Sequence, residues 1–153
     1  MSHRAQRTAR SPAGILAGGL ALLALCTTAL ATESGKNHPR QKTFMKRQWG
    51  IEVMYVRQAS AGYMLEFRYK VLDANRAQAL FDRQTKPVLT HVETGARLIV
   101  PTPAKTGALR NSNQPTSGKV YWMFFANPGK LVEPGDQVSI EIGDVLVEKL
   151  VVQ

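Results

Sequence analysis

Residues 62–73 read Gly-Tyr-Met-Leu-Glu-Phe-Arg-Tyr-Lys-Val-Leu-Asp, so that Tyr63, Leu65, Phe67, Tyr69 and Val71 fall on every second position with Glu66, Arg68 and Lys70 between them. A period of two gathers the apolar set on one face of a β-strand, whereas a helix would spread the same side chains around its circumference. Residues 119–127 carry the other strong pattern. There Tyr121, Met123 and Phe125 alternate with Trp122 and Phe124, which predicts a strand apolar on both faces, covered on two sides or lying beneath a partner.

The remaining pattern supplies further strands. Trp49, Ile51, Val53 and Tyr55 predict one face of a first strand ending near Gln58, and the small residues 59–62 join it to the next as an antiparallel hairpin. Residues 73–82 break the alternation: Asp73 or Asn75 can cap a short helical turn with Ala77, Leu80 and Phe81 facing inward as a plug at the end of a sandwich. Lys86-Pro87 opens a third strand through Val88, Thr90 and Val92, and Thr94-Gly95 turns it into a fourth over residues 96–100, which Pro101 and Pro103 stop. The stretch to Gly118, rich in Thr, Asn, Ser, Pro and Gly, predicts a long exposed loop. After the aromatic strand come the turns Asn127-Pro128-Gly129 and Glu133-Pro134-Gly135-Asp136, a strand through Val138, Ile140 and Ile142, the turn Gly143-Asp144 and a last strand over 145–152.

About seven strands without intervening helices predict an all-β fold, an antiparallel sandwich of immunoglobulin-like or fibronectin-like architecture over residues 48–153. A small closed barrel is the alternative.

The N-terminal part has a different character. Residues 1–10 are polar and basic, and residues 13–31 form an apolar run ending in Ala29-Leu30-Ala31, the layout of a signal peptide cleaved before Thr32. Leu23-Ala24-Leu25-Cys26 also resembles a lipidation signal, and an uncleaved signal helix would serve as an anchor. All three readings place the body outside the cytoplasm, in the periplasm or otherwise exported. Residues 32–47 are polar and aperiodic and predict a flexible, disordered basic linker in which His38 is solvated.

Charge follows the same division. Three of the 20 basic residues and none of the 11 acidic ones lie in residues 1–31, five and one lie in 32–47, and 12 and 10 follow from Gln48. The formal charge of +9 therefore belongs mostly to the leader and linker, and the near-neutral body argues against a nucleic-acid partner, even with Arg57, Arg68 and Lys70 beside aromatics. Membrane contact is expected through the N-terminal segment alone. Cys26 is the single cysteine, so the body has no internal disulfide and no thiol chemistry.

Catalytic and metal chemistry find little to work with. Serine hydrolysis requires a base, yet the body holds one histidine, His91, and no Gly-x-Ser-x-Gly turn; His91 is expected to be a partly exposed strand residue, paired with its neighbour Glu93. Zinc and copper sites of ordinary type want several His or Cys ligands. A copper(I) carrier using Met45, Met54, Met64 and Met123 is the alternative function, although methionines spaced along apolar strands are commonly core residues. Glu66, Asp73, Asp82, Glu141 and Asp144 show no converging spacing for glycoside cleavage, and no phosphate-binding loop occurs. The expectation is a non-catalytic module without a cofactor.

Recognition remains. If one side of the sheet is open, Trp122 and Phe124 form an exposed aromatic pair of the kind that marks a partner surface; otherwise the plug around Leu80 and Phe81 closes over them. The adjoining loop offers Lys105, Arg110, Asn111 and Asn113 as a mobile polar arm, and the expected partner is another envelope protein.

The phrases Trp49-Gly50-Ile51-Glu52-Val53, Gly62-Tyr63-Met64-Leu65, Phe67-Arg68-Tyr69, Val71-Leu72-Asp73, Pro101-Thr102-Pro103-Ala104-Lys105, Phe125-Ala126-Asn127-Pro128-Gly129 and Pro134-Gly135-Asp136 resemble a group of small exported proteins of Gram-negative bacteria whose activity is uncharacterised. The resemblance covers most of residues 48–153. It implies an envelope location and a β-sandwich, and it carries no catalytic residue or cofactor.

Overall fold

The computed structural model describes residues 39–153. The leader expected at 1–31 and the first part of the expected linker lie outside the described residues. Helix α1 (Pro39–Trp49) comes first, followed by β1 (Ile51–Ala59), β2 (Met64–Val71), α2 (Ala74–Ala77) with a 3-10 turn at Gln78–Phe81, and the strands β3 (Val88–His91), β4 (Arg97–Ile99), β5 (Val120–Ala126), β6 (Gln137–Ile142) and β7 (Val145–Val151). The strands make two antiparallel sheets, ordered β1-β2-β5 and β4-β3-β6-β7.

The anchor strand behaves as its period requires. Leu65, Phe67, Tyr69 and Val71 of β2 are buried, and Tyr121, Met123 and Phe125 of β5 join them, facing Leu89, Ile140, Val147 and Leu150 of the other sheet across one apolar core. The expected plug forms as well: the Asp73 carboxylate accepts from the N–H groups of Asn75 and Arg76, and Ala77, Leu80 and Phe81 are buried. Phe81 sits 4.7 Å from Tyr121, edge to face. It therefore closes the inner side of β5 and leaves the Trp122 side alone.

Four expectations need correction. Residues 39–47 are helix rather than linker, because Met45 is wholly buried in a gap lined by Val53, Val147 and Leu150, where the two sheets would otherwise part. Trp49 accordingly ends a helix instead of starting a strand. Tyr55 lies on the outer face of β1: Val53 is opposite Tyr69 but Tyr55 is opposite Arg68, so Met54 is an extra bulged residue and Val56 takes the inward place. In β3 the inward residues are Leu89 and His91, since Leu89 falls between Leu98 and Ile140 in register, and Val92 is left exposed.

The long loop is also more structured than its composition predicts. The Phe124 N–H donates to the Leu109 carbonyl and the Asn111 N–H to the Trp122 carbonyl, so residues 109–111 run along the free edge of β5. At the opposite edge the chain end pairs parallel to β1 through Val56 and Val152, which covers backbone groups an edge strand would otherwise offer. No helix among the described residues is long and apolar enough to cross a membrane.

Candidate functional site

The outer face of the β1-β2-β5 sheet is built in rows. Register places Arg57 beside Glu66 beside Phe124, and Tyr55 beside Arg68 beside Trp122. The pleat turns all six of these side chains away from the core.

Glu66 is the centre of the arrangement. Although it faces outward, it is 3% exposed, because two guanidiniums close over its carboxylate. Arg57 Nε donates to Oε2 at 2.8 Å and Arg68 Nε to Oε1 at 3.0 Å. Both arginines also flank the Tyr55 ring, at 4.8 and 5.7 Å from its centroid. Trp122 and Phe124 lie alongside with ring centroids 5.2 Å apart, each half-buried. Two cations held by one carboxylate leave this part of the face with an unmatched positive charge.

The bulge at Met54 creates this group. Without it Tyr55 would point into the core opposite Phe67, and the arginines would have no ring between them.

Of the residues expected to contact a partner, the structure brings Trp122, Phe124 and Asn111 together: Asn111 Oδ1 accepts from the Trp122 N–H at 2.8 Å and pins the loop beside the aromatic strand. Asn113 is exposed further along the loop. Arg110 is a correction. It is 6% exposed and turned inward, its Nη2 donating to the Asp82 carbonyl, because the inward side of the added edge segment faces Tyr69 rather than solvent. Burial lowers the Arg110 pKa and raises that of the Tyr69 phenol, with the nearby Arg110 charge opposing the latter. Sequence reasoning missed Tyr55 and Glu66 as members of the face. The alternation of Glu66 with Arg68 was visible, but the cross-strand position of Arg57 and the turn of Tyr55 depend on register.

The other candidate chemistry is scattered. Met45 and Met123 are in the core, Met54 is exposed at the bulge, and Met64 sits at the hairpin end of β2 opposite Ala59 and Ala126. A groove of about 690 Å³ between α1 and β7 is lined by Phe44, Trp49 and Leu146 with Arg40, Glu148 and Lys149.

His91 departs from expectation: it is 4% exposed and is hydrogen-bonded not to Glu93 but to Thr94 Oγ1, 2.8 Å from Nδ1, with Asp136 Oδ2 standing 3.3 Å from Nε2. The turn after β3 brings Thr94 back to the ring.

Comparison with protein-family models, with curated proteins and with solved structures finds no match to this chain.

Proposed function

We propose that the chain is an exported envelope protein that works as a non-catalytic binding module, docking another protein on the outer face of its three-stranded sheet. The observation that carries this reading is the fixed set of Arg57 and Arg68 over Glu66, with Tyr55 between them and Trp122 and Phe124 beside them. Tyr, Trp and Arg are the residue types that dominate binding energy at protein interfaces, and they do so best when held in place before the partner arrives. The unmatched positive charge calls for a partner surface that presents a carboxylate beside an apolar patch.

Two further supports bear on class and compartment. The strand orders β1-β2-β5 and β4-β3-β6-β7, with the chain end running parallel to β1, agree with an immunoglobulin-like or fibronectin-like sandwich, a scaffold much used for binding. The basic start, apolar run and Ala29-Leu30-Ala31 ending support export.

The test is affinity capture from envelope extract with the wild-type chain and with Trp122→Ala, Arg68→Glu and Leu146→Ser. A partner retained by wild type and Leu146→Ser but lost with the other two, all four showing the same circular dichroism, supports the reading. Equal capture by all four chains overturns it.

A further inference from the structure

We propose that His91, Glu93 and Asp136 bind a divalent transition-metal cation, zinc(II) foremost. The three residues come from two turns that the sheet brings together. His91 ends β3 and pairs with Val138 of β6, while the Val92 N–H donates to the Gln137 carbonyl, so the start of the β3–β4 turn lies beside the turn that precedes β6. One ligand atom from each residue falls within 4.8 Å of the other two.

The spacing fits a small cation. Zinc bonds to nitrogen and carboxylate oxygen at about 2.0–2.2 Å, so neighbouring ligands of a tetrahedral ion stand about 3.4 Å apart. His91 Nε2 and Asp136 Oδ2 are already at 3.3 Å. Glu93 is exposed and has to move its side chain only a short way to close the third edge, leaving the fourth position to water or an outside donor.

Charge points the same way. Two carboxylates stand around one imidazole, and neither forms an ion pair with a lysine or arginine among the described residues. Glu93 has no hydrogen bond or ion pair there at all. Close carboxylates repel unless a cation lies between them, and a divalent ion would neutralise the pair.

The surroundings hold the ligands as a metal requires. Thr94 Oγ1 can accept from Nδ1–H, leaving the Nε2 lone pair for the ion, the usual support for a ligating histidine. The His91 N–H donates to the Ala96 carbonyl, and the His91 carbonyl accepts from Gly95, fixing the backbone from which the ring projects. Asp136 is held through Oδ2 by the Glu133 N–H and through its carbonyl by the Val152 N–H.

The experiment is calorimetric titration of the full chain with zinc chloride, and thermal melting with and without the ion. It is repeated with Glu93→Gln, with Asp136→Asn and with Asp144→Asn as a control elsewhere on the surface. Because His3, Cys26 and His38 can also hold zinc, the comparison between chains carries the result. We expect a 1:1 component that weakens at least about tenfold in the first two variants and is unchanged in the third. Cobalt(II) should give a tetrahedral visible spectrum in wild type that Glu93→Gln loses, and saturating zinc should raise the wild-type Tm by about 5 °C or more. Zinc affinity equal in wild type and Glu93→Gln, or no zinc binding to the wild-type chain, overturns the proposal.

Discussion

The backbone of Gly50 lies so close under Asp73 that a Cβ at position 50 would stand 2.8 Å from the Asp73 Cβ and 2.9 Å from its carbonyl oxygen. Gly50 also has φ of +61°, the left-handed conformation that ends α1, and its carbonyl accepts from both Leu72 and Asp73. The exit of α1 and the N-cap of α2 are thus one joint. Gly50→Ala is expected to destabilise the domain by about 2–4 kcal/mol, combining backbone strain with a clash that cannot relax into a flexible side chain. Urea denaturation checks it, and a loss below about 1 kcal/mol would show that the joint yields.

Helix α1 is further tied to β1 by Lys46 Nζ and Glu52 Oε1 at 2.7 Å. The Lys46 hydrogen bond holds the Glu52 carboxyl below its ordinary range, with the charge of Lys46 acting the same way. A depressed carboxylate contributes stability above its unfolded pKa, and that contribution disappears as pH falls through the folded value. Since both side chains are about two-fifths exposed, the pair contributes less than about 0.5 kcal/mol. Comparing wild type with Glu52→Gln between pH 7 and pH 3 should show a stability difference of that size that vanishes at the acid end.

Inside the core, Tyr69 departs from good polar pairing. Its hydroxyl is buried without a partner, as is Nη1 of Arg110. Removing an unpaired buried hydroxyl recovers its desolvation cost, so Tyr69→Phe should be neutral or stabilising by up to about 1 kcal/mol. Burial raises the Tyr69 pKa, so its contribution is complete below the ordinary tyrosine range and is lost as pH rises above about 10. Melting temperature measured from pH 8 to pH 11 should therefore fall more steeply in wild type than in Tyr69→Phe.

What the sequence made legible was local. Leu65, Phe67, Tyr69 and Val71 declare their common face within one strand, and Asp73 caps the N–H groups of Asn75 and Arg76 whatever lies elsewhere. What it hid depended on distant partners. Nothing in the polar stretch around Met45 shows that Val53, Val147 and Leu150 leave a gap of its size. The extra residue at Met54 becomes visible when β1 is laid against β2, and the one near Lys149, with φ of +52°, when β7 is laid against β6. The recognition face shares this limit: Trp122 and Phe124 could be named from alternation, whereas Arg57 meets Glu66 only through cross-strand register.

Asn127 shows how one buried amide can hold a corner. Its Nδ2 donates to the carbonyls of Gly62 and Val132, and its Oδ1 accepts from the Val132 N–H, joining the β1–β2 hairpin to the segment leading into β6. Alanine would leave the Gly62 carbonyl and the Val132 N–H unpaired in a site with no exposure, the Val132 carbonyl keeping its bond from Gln58 Nε2, a loss of about 2 kcal/mol or more. Asn127→Asp keeps the acceptor but not the two donors, so it should also fall well below wild type. Equal melting temperatures for wild type and Asn127→Ala would contradict the corner's role.

A final contrast separates surface from core on the same strand. Phe125 is wholly buried beneath the opposite sheet, whereas Trp122 and Phe124 are half-buried on the outer side. Phe125→Ala removes a core ring and should cost about 3–5 kcal/mol. Trp122→Ala keeps its backbone bonds to Asn111 and loses mainly the tilted ring contact with Phe124, so about 1–2 kcal/mol is expected. Chemical denaturation of the two variants provides the measurement. If truncating Trp122 cost as much as truncating Phe125, the outer face would be a second core, and its aromatics would be committed to the fold instead of to a partner.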